Sequence, residues 1–167
     1  MPAELLSSID AFVASLAEFE PRLWSPEECV ALVEALARLE NSSAATRART
    51  AARAAECGAH RSQGFTNPAD WLANATGSST REAQHELSTA QQLDELPATR
   101  EQVERGELSM AQAHEIAQTE KERPGSEADM VATARTQSLR TLREHGRKLR
   151  LGAIDPAEVE RRQHAAR

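Results

Sequence analysis

The sequence predicts an all-α protein: an irregular multi-helix bundle with a long N-terminal helix and an embedded subdomain that resembles a helix-turn-helix. Three observations predict it. The strong helix formers Ala, Leu, Glu, Gln and Arg dominate the 167 residues, whereas aromatic residues make up 3%. Apolar residues recur at steps of three and four, and alternating runs typical of strands are nearly absent. Gly and Pro divide the chain into segments of helical length, most of which begin with a capping residue.

The first predicted helix covers about residues 3–20 and ends at Pro21. Its apolar residues form a single stripe, which consists of Leu5, Ile9, Phe12, Val13, Leu16 and Phe19. The second helix has the clearest start in the chain, because Ser25 and Glu28 form a capping box around Pro26 at the first helical position.

This second helix is predicted to continue to about Cys57, where Gly58 ends it. Its first half carries branched apolar residues. Its second half carries alanines at the corresponding positions, namely Ala45, Ala48, Ala52 and Ala55. We expect the helix to bend or break at residues 41–43, where Asn and two Ser residues occur together.

Shorter helices are predicted to follow a loop at residues 58–67. They cover about residues 68–75, 80–95, 97–105, 110–122, 126–136, 138–151 and 156–167, with Ser109 and Ser126 as N-caps of two of them. We therefore predict three regions. Residues 1–64 form a helical hairpin with the long helix, residues 65–122 the helix-turn-helix-like core, and residues 123–167 basic C-terminal helices.

Charge is distributed unevenly along the chain. The formal net charge of −6 is the balance of −6 in residues 1–43, +3 in residues 44–66, −8 in residues 67–133 and +5 in residues 134–167. This pattern excludes a uniformly basic surface for nucleic acid and leaves two local basic segments.

Several functional classes are not supported by the residues. The N-terminus has neither the basic nor the apolar region of a signal peptide, and no apolar run reaches the length of a membrane span, so we expect a cytoplasmic protein without a membrane partner. Cys29 and Cys57 lack the spacing of a zinc site. We predict no catalytic site, metal or cofactor. His114, which lies between apolar residues, is interpreted as a hydrogen-bonded packing histidine.

The segment 68–95 has the pattern of helix, glycine turn and helix that helix-turn-helix motifs require. The N-terminal part of the second helix would then meet DNA through Thr80, Arg81, Gln84 and His85. Arg81 suits a guanine or a phosphate, and Gln84 suits an adenine. The alternative is a bundle without a DNA function, because the same helix carries several carboxylates that would repel phosphates.

A second candidate surface is the basic segment near the C-terminus. Arg140, Arg143 and Arg147 recur at helical spacing, and Lys148 adjoins them. Two interpretations remain open: contact with DNA phosphates, or a solvated helix face that balances the acidic middle of the domain.

Motifs in the same region are similar to those of the domain of unknown function 222 family. They are Phe65, Asp70, Trp71-Leu72-Ala73, Thr76-Gly77, Glu82-Ala83, Ala90, Leu93, Leu96-Pro97, Gly106-Glu107-Leu108-Ser109, Ala113-His114 and Ile116-Ala117. The resemblance covers about residues 25–165. It implies an actinobacterial source and the N-terminal half of an HNH endonuclease-type protein. The stretch from Leu96 to His114 also resembles the segment that follows the helix-turn-helix in ParB-type partition proteins.

The resemblance implies a nuclease whose catalytic half is missing here, because the five histidines are dispersed and no HNH motif is present. The helical pattern reaches Arg167 without a C-cap, so we expect the protein to continue into a C-terminal domain. Our principal hypothesis is a non-catalytic module that contacts or positions double-stranded DNA for an HNH nuclease domain, C-terminal or separate. The alternative is a protein-interaction or oligomerisation module, in which helix one and the alanine-rich half of helix two form a self-complementary interface.

Overall fold

The computed structural model describes residues 2–152, and this part of the chain is all-α, which confirms the predicted fold class. The helix expected at residues 156–167 lies outside the described residues. The chain divides into two compact units, which we call unit 1 (Met1–Leu36) and unit 2 (Ala37–Arg167).

Unit 1 begins with helix α1, Pro2–Ala17. The helix ends three residues earlier than predicted, because Glu20 begins a separate turn of 3-10 helix at Pro21–Leu23 and its carboxylate accepts a hydrogen bond from the Arg22 N–H. Helix α2, Pro26–Glu56, begins in this unit and ends in unit 2. Its predicted capping box is present, with both hydrogen bonds between Ser25 and Glu28 formed.

Helix α2 continues without a break through residues 41–43, so the expected bend or break there is wrong. The physical reason is long-range hydrogen bonding. The Asn41 amide donates to the carbonyl of Gly106 at 3.1 Å, and the Ser42 hydroxyl donates to the carbonyl of Glu104 at 2.9 Å. These side chains therefore do not compete for the backbone of their own helix.

Unit 2 contains the remaining helices. They are α3 Ala59–Ser62, α4 Pro68–Thr76, α5 Thr80–Gln92, α6 Pro97–Glu104, α7 Met110–Glu122, α8 Glu127–Thr136 and α9 Leu139–Gly152, with a 3-10 turn at Leu93–Glu95. Most bounds agree with the prediction to within a few residues. The short α3 was not expected, because it lies in the segment that was predicted to be a loop.

Unit 2 has two buried clusters. One contains large residues from the later helices, such as Val103, Ile116 and Leu142, each of which is fully buried. The other is rich in alanine and joins the second half of α2 to α4 and α5, through residues that include Ala48, Ala69 and Leu87. Ala45, Ala48 and Ala52 of α2 are thus buried within their own unit.

The start of α8 also differs from the prediction. The side chain of Ser126 makes no capping hydrogen bond to the helix. Instead the carboxylate of Glu120 in α7 accepts hydrogen bonds from the N–H groups of Gly125 (2.6 Å) and Glu127 (2.7 Å) and from the Ser126 hydroxyl. Burial raises the pKa of Glu120, but these hydrogen bonds outweigh it and hold the pKa below its ordinary value.

Candidate nucleic-acid interface

Helices α4 and α5 form the predicted helix-turn-helix-like pair. Gly77, with φ of 67°, ends α4 in the left-handed conformation that favours glycine. Two residues later Ser79 caps α5. The Thr80 hydroxyl donates to the Asp70 carboxylate at 2.8 Å and so links the two helices. Thr80 therefore stabilises the motif, and its hydroxyl is already engaged.

The N-terminus of α5 is closed by its own capping box. The Glu82 carboxylate accepts hydrogen bonds from the backbone N–H and the hydroxyl of Ser79, and these bonds lower the pKa of Glu82. The Ser79 hydroxyl in turn accepts from the N–H of Glu82. Glu82 thus keeps its negative charge, and this helix end has less capacity to bind a phosphate than an open one.

A cleft of about 640 Å³ lies between α5, α7 and α9, and we call it the three-helix cleft. Arg81 and His85 of α5 line one wall. His114 of α7 and Arg143 of α9 line the others. The cleft therefore brings together residues from the two segments that the sequence offered as separate candidates.

The two histidines of the three-helix cleft stack on each other. The ring centroids of His85 and His114 are 4.7 Å apart, and the rings are inclined by 27°. The Thr89 hydroxyl lies 2.9 Å from Nδ1 of His114. Burial lowers the pKa of His114, its neighbours His85 and Arg143 lower it further, and the carboxylate of Glu115 acts in the opposite direction. His114 is consequently neutral near pH 7.

Two carboxylates of the three-helix cleft are neutralised by neighbouring arginines. Glu86 pairs with Arg47 at 2.9 Å, and Glu115 pairs with Arg150 at 2.8 Å. Arg150 also donates to the Thr119 hydroxyl, so its guanidinium is fixed inside unit 2.

The two arginines of the cleft itself, Arg81 and Arg143, are in a different situation. Both are exposed, and neither forms a salt bridge with any residue in the range 2–152. Their charges are therefore available to an anionic ligand.

Helix α9 packs closely on α7 because residue 146 is glycine. A Cβ atom at Gly146 would lie 2.6 Å from the hydroxyl oxygen of Thr119 and 3.0 Å from the carboxylate of Glu115. This close approach positions Arg143, which lies three residues earlier, at the cleft. Arg147 and Lys148 are exposed on the same helix. Arg140 is exposed too, but it pairs with Glu144 at 3.2 Å.

The structure brings together only some of the predicted DNA-contacting residues. Arg81, His85 and Arg143 meet in the three-helix cleft, whereas Gln84 is exposed and does not line it. The sequence suggested that His114 is hydrogen-bonded, and its contact with Thr89 agrees. Its stacking on His85 was missed. No local pattern could have revealed it, because the two residues belong to different helices.

Neither a metal site nor a membrane span is evident in the part of the chain that the structure describes. Within residues 2–152, no three His, Cys, Asp or Glu side chains converge in a way that could hold a metal ion. None of the described helices combines the length and the apolar content needed to cross a bilayer.

No protein-family model matches this chain, and neither does any curated protein or solved structure. The case for a function therefore rests on the residues.

Proposed function

We propose that this chain is a non-catalytic module that contacts double-stranded DNA and positions it. The observation that carries the proposal is the meeting of Arg81 from α5 and Arg143 from α9 in the three-helix cleft. Two unpaired guanidinium groups within one concave surface attract phosphates, which dominate the affinity of proteins for DNA.

Helix α9 extends this cationic surface. Arg147 lies one helical turn beyond Arg143, and Lys148 adjoins it; both are exposed. The acidic residues nearby oppose DNA less than their number suggests, because Glu86 and Glu115 are paired with arginines. Glu82 keeps an uncompensated charge, so we expect modest affinity that depends strongly on salt.

The resemblance to the domain of unknown function 222 family supports the same proposal. It implies that an HNH nuclease domain, either C-terminal or separate, supplies the chemistry. The module would then hold the duplex while that domain cuts it.

Fluorescence anisotropy with a short blunt duplex at low salt tests the proposal. We expect binding that weakens when Arg143→Gln or Arg147→Gln is introduced, and each change should reduce the salt dependence by about one phosphate contact. The matched control is Arg140→Gln, which removes an arginine from the same helix that already pairs with Glu144. Absence of binding at tens of micromolar protein would refute the proposal.

A second candidate function is self-association through unit 1. Ten large apolar residues between positions 5 and 33 are exposed, among them Ile9 (49%) and Phe12 (41%) of α1. An exposed apolar surface of this kind marks an interaction site. A second copy of the chain offers an equally apolar stripe, so a symmetric dimer would cover both.

Light scattering across a concentration series tests this second candidate. Ile9→Glu places a charge in the stripe, whereas Ser7→Glu adds the same charge on the opposite side of α1. We expect dimers that the first change abolishes and the second retains. A monomer at every concentration excludes the dimer.

A further inference from the structure

On the basis of the proposed function, we infer that the three-helix cleft receives a single unpaired nucleotide of the bound DNA. Arg81 and Arg143 would hold its phosphate, and the ring of His85 would stack on its base. This assigns His85 and the two arginines to a nucleotide pocket, which differs from the groove contact that the helix-turn-helix pattern suggested.

The shape of the site favours this assignment. A helix that reads the major groove must project into it with its reading side chains outward. Arg81 and His85 instead lie on the side of α5 that faces α7 and α9 across a concave space. That space, about 640 Å³, falls within the range of about 300–1,000 Å³ that is usual for small-ligand sites. A volume of this size suits a ligand as small as one nucleotide.

The surfaces of the cleft suit a base. His85 is exposed, and its ring is already stacked on His114, so a base would extend an existing stack. Met110 and Ala111 add apolar surface to the wall formed by α7. Unpaired bases in DNA and RNA are commonly held by stacking on rings of this kind.

The cleft is lined by both cationic and anionic side chains, and Glu82 in its lining keeps its negative charge. The guanidinium groups of Arg81 and Arg143 are unpaired among the described residues and suit a phosphate. Glu86 is also in the lining, but its carboxylate is already paired with Arg47 at 2.9 Å.

The experiment compares two duplexes that differ by one unpaired 3′ nucleotide. In anisotropy titrations we expect the duplex with the overhang to bind about tenfold more tightly, the scale of one stacking contact. His85→Ala should remove this difference. Gln84→Ala, one residue away on α5 but outside the cleft, should preserve it.

Ring resonances of the histidines provide an independent readout. Addition of the overhang duplex should shift the signals of His85 and His114 and leave those of His60 and His145 unchanged, because neither of the latter lines the cleft. Before DNA is added, the same signals also report whether the rings of His85 and His114 are stacked.

The outcomes separate this inference from the proposed function. Equal binding of both duplexes, with no effect of His85→Ala, overturns the nucleotide pocket and leaves DNA contact standing. Absence of binding to either duplex overturns both. A free deoxynucleoside monophosphate should not displace the overhang duplex, because it lacks the further phosphates that Arg147 and Lys148 would contact; full displacement would show a site for free nucleotides instead.

Discussion

The two units use the same apolar pattern in opposite ways. In unit 2, apolar residues at helical spacing enter a core, and Ile116 and Leu142 are fully buried. In unit 1, the stripe of α1 has the same spacing, yet Leu5 is 60% exposed and Ile9 is 49% exposed. Periodicity therefore predicts that a helix has an apolar face, but it does not predict what covers that face.

Two helix starts, one in each unit, are stabilised by different kinds of contact. At the start of α2, in unit 1, the capping hydrogen bonds join two residues that are close in sequence, Ser25 and Glu28. The start of α8 in unit 2 depends on Glu120, which belongs to another helix. The start of α8 therefore depends on a side chain of the preceding helix, and its loss should cost more than the loss of a local cap.

The largest effect is expected where two backbones in unit 2 approach each other. Gly106 has φ of 74°, and a Cβ atom there would overlap the carbonyl of Arg38. We expect Gly106→Ala to lower the free energy of unfolding by about 4 kcal/mol, through conformational strain plus steric overlap. Chemical denaturation followed by circular dichroism measures it.

Gly77→Ala is the matched control for the change at Gly106. Gly77 has a similar φ of 67°, but a Cβ atom there would meet nothing within 4 Å. Gly77→Ala should therefore lower the free energy of unfolding only by the conformational strain, about 1–2 kcal/mol. Equal effects of the two changes would show that the contact with Arg38 contributes nothing.

A slightly smaller effect is expected from truncation of a core leucine. Leu142→Ala removes a fully buried side chain and should cost about 3 kcal/mol, from lost burial and the cavity left behind. Leu5→Ala is the same substitution in unit 1, where the side chain is exposed, and should change the stability by less than about 0.5 kcal/mol. A large loss of stability from Leu5→Ala in dilute solution would contradict the exposure of the stripe. The same loss seen only at high protein concentration would indicate a dimer.

A smaller difference is expected between the two kinds of helix cap, the one that Glu120 provides and the capping box of Glu28. Glu120→Gln should destabilise unit 2 by about 1–2 kcal/mol, because an amide group would replace one of two accepting oxygens and leave a donor facing a donor. Glu28→Gln should be nearly neutral, since glutamine completes a capping box as well as glutamate does. Denaturation midpoints of the two variants test the difference. A neutral Glu120→Gln would mean that α8 does not need its cap.

Local chemistry in the sequence was sufficient to predict most helix starts. Ser25 with Glu28 was predicted as a capping box and Ser109 as an N-cap, and both caps are present. Contacts across the fold were not predictable in this way. Asn41 appeared to weaken α2 because its partner, the carbonyl of Gly106, is 65 residues away.

For the candidate site too, individual residues were predictable from the sequence but contacts across the fold were not. Arg81 was a candidate DNA contact because of its place in the helix-turn-helix pattern, and Arg143 because of helical spacing and charge. Their placement in one cleft depends on how α9 packs on α7, and Gly146 permits that packing. A lone glycine within a basic helical segment gives no sequence signal for such a contact, so the sequence could suggest the residues but not their assembly.

The smallest effect we predict is a dependence of stability on pH that arises in unit 2. The pKa of His114 in the folded protein is lowered, chiefly by burial and then by its neighbours His85 and Arg143. As the pH falls below about 6.5, the unfolded chain therefore takes up the proton before the folded protein does. Stability contributed by neutral His114 is fully present above this pH and is lost on acidification until the folded pKa is reached.

Denaturation between about pH 5 and pH 8 should show this loss of stability, and His114→Gln should reduce it. Unit 1 contains no histidine, so a probe at Trp24 should report no such change unless the two units unfold together. An identical pH profile for the wild type and His114→Gln would mean that His114 is not desolvated, and the cleft would then be more open than the structure shows.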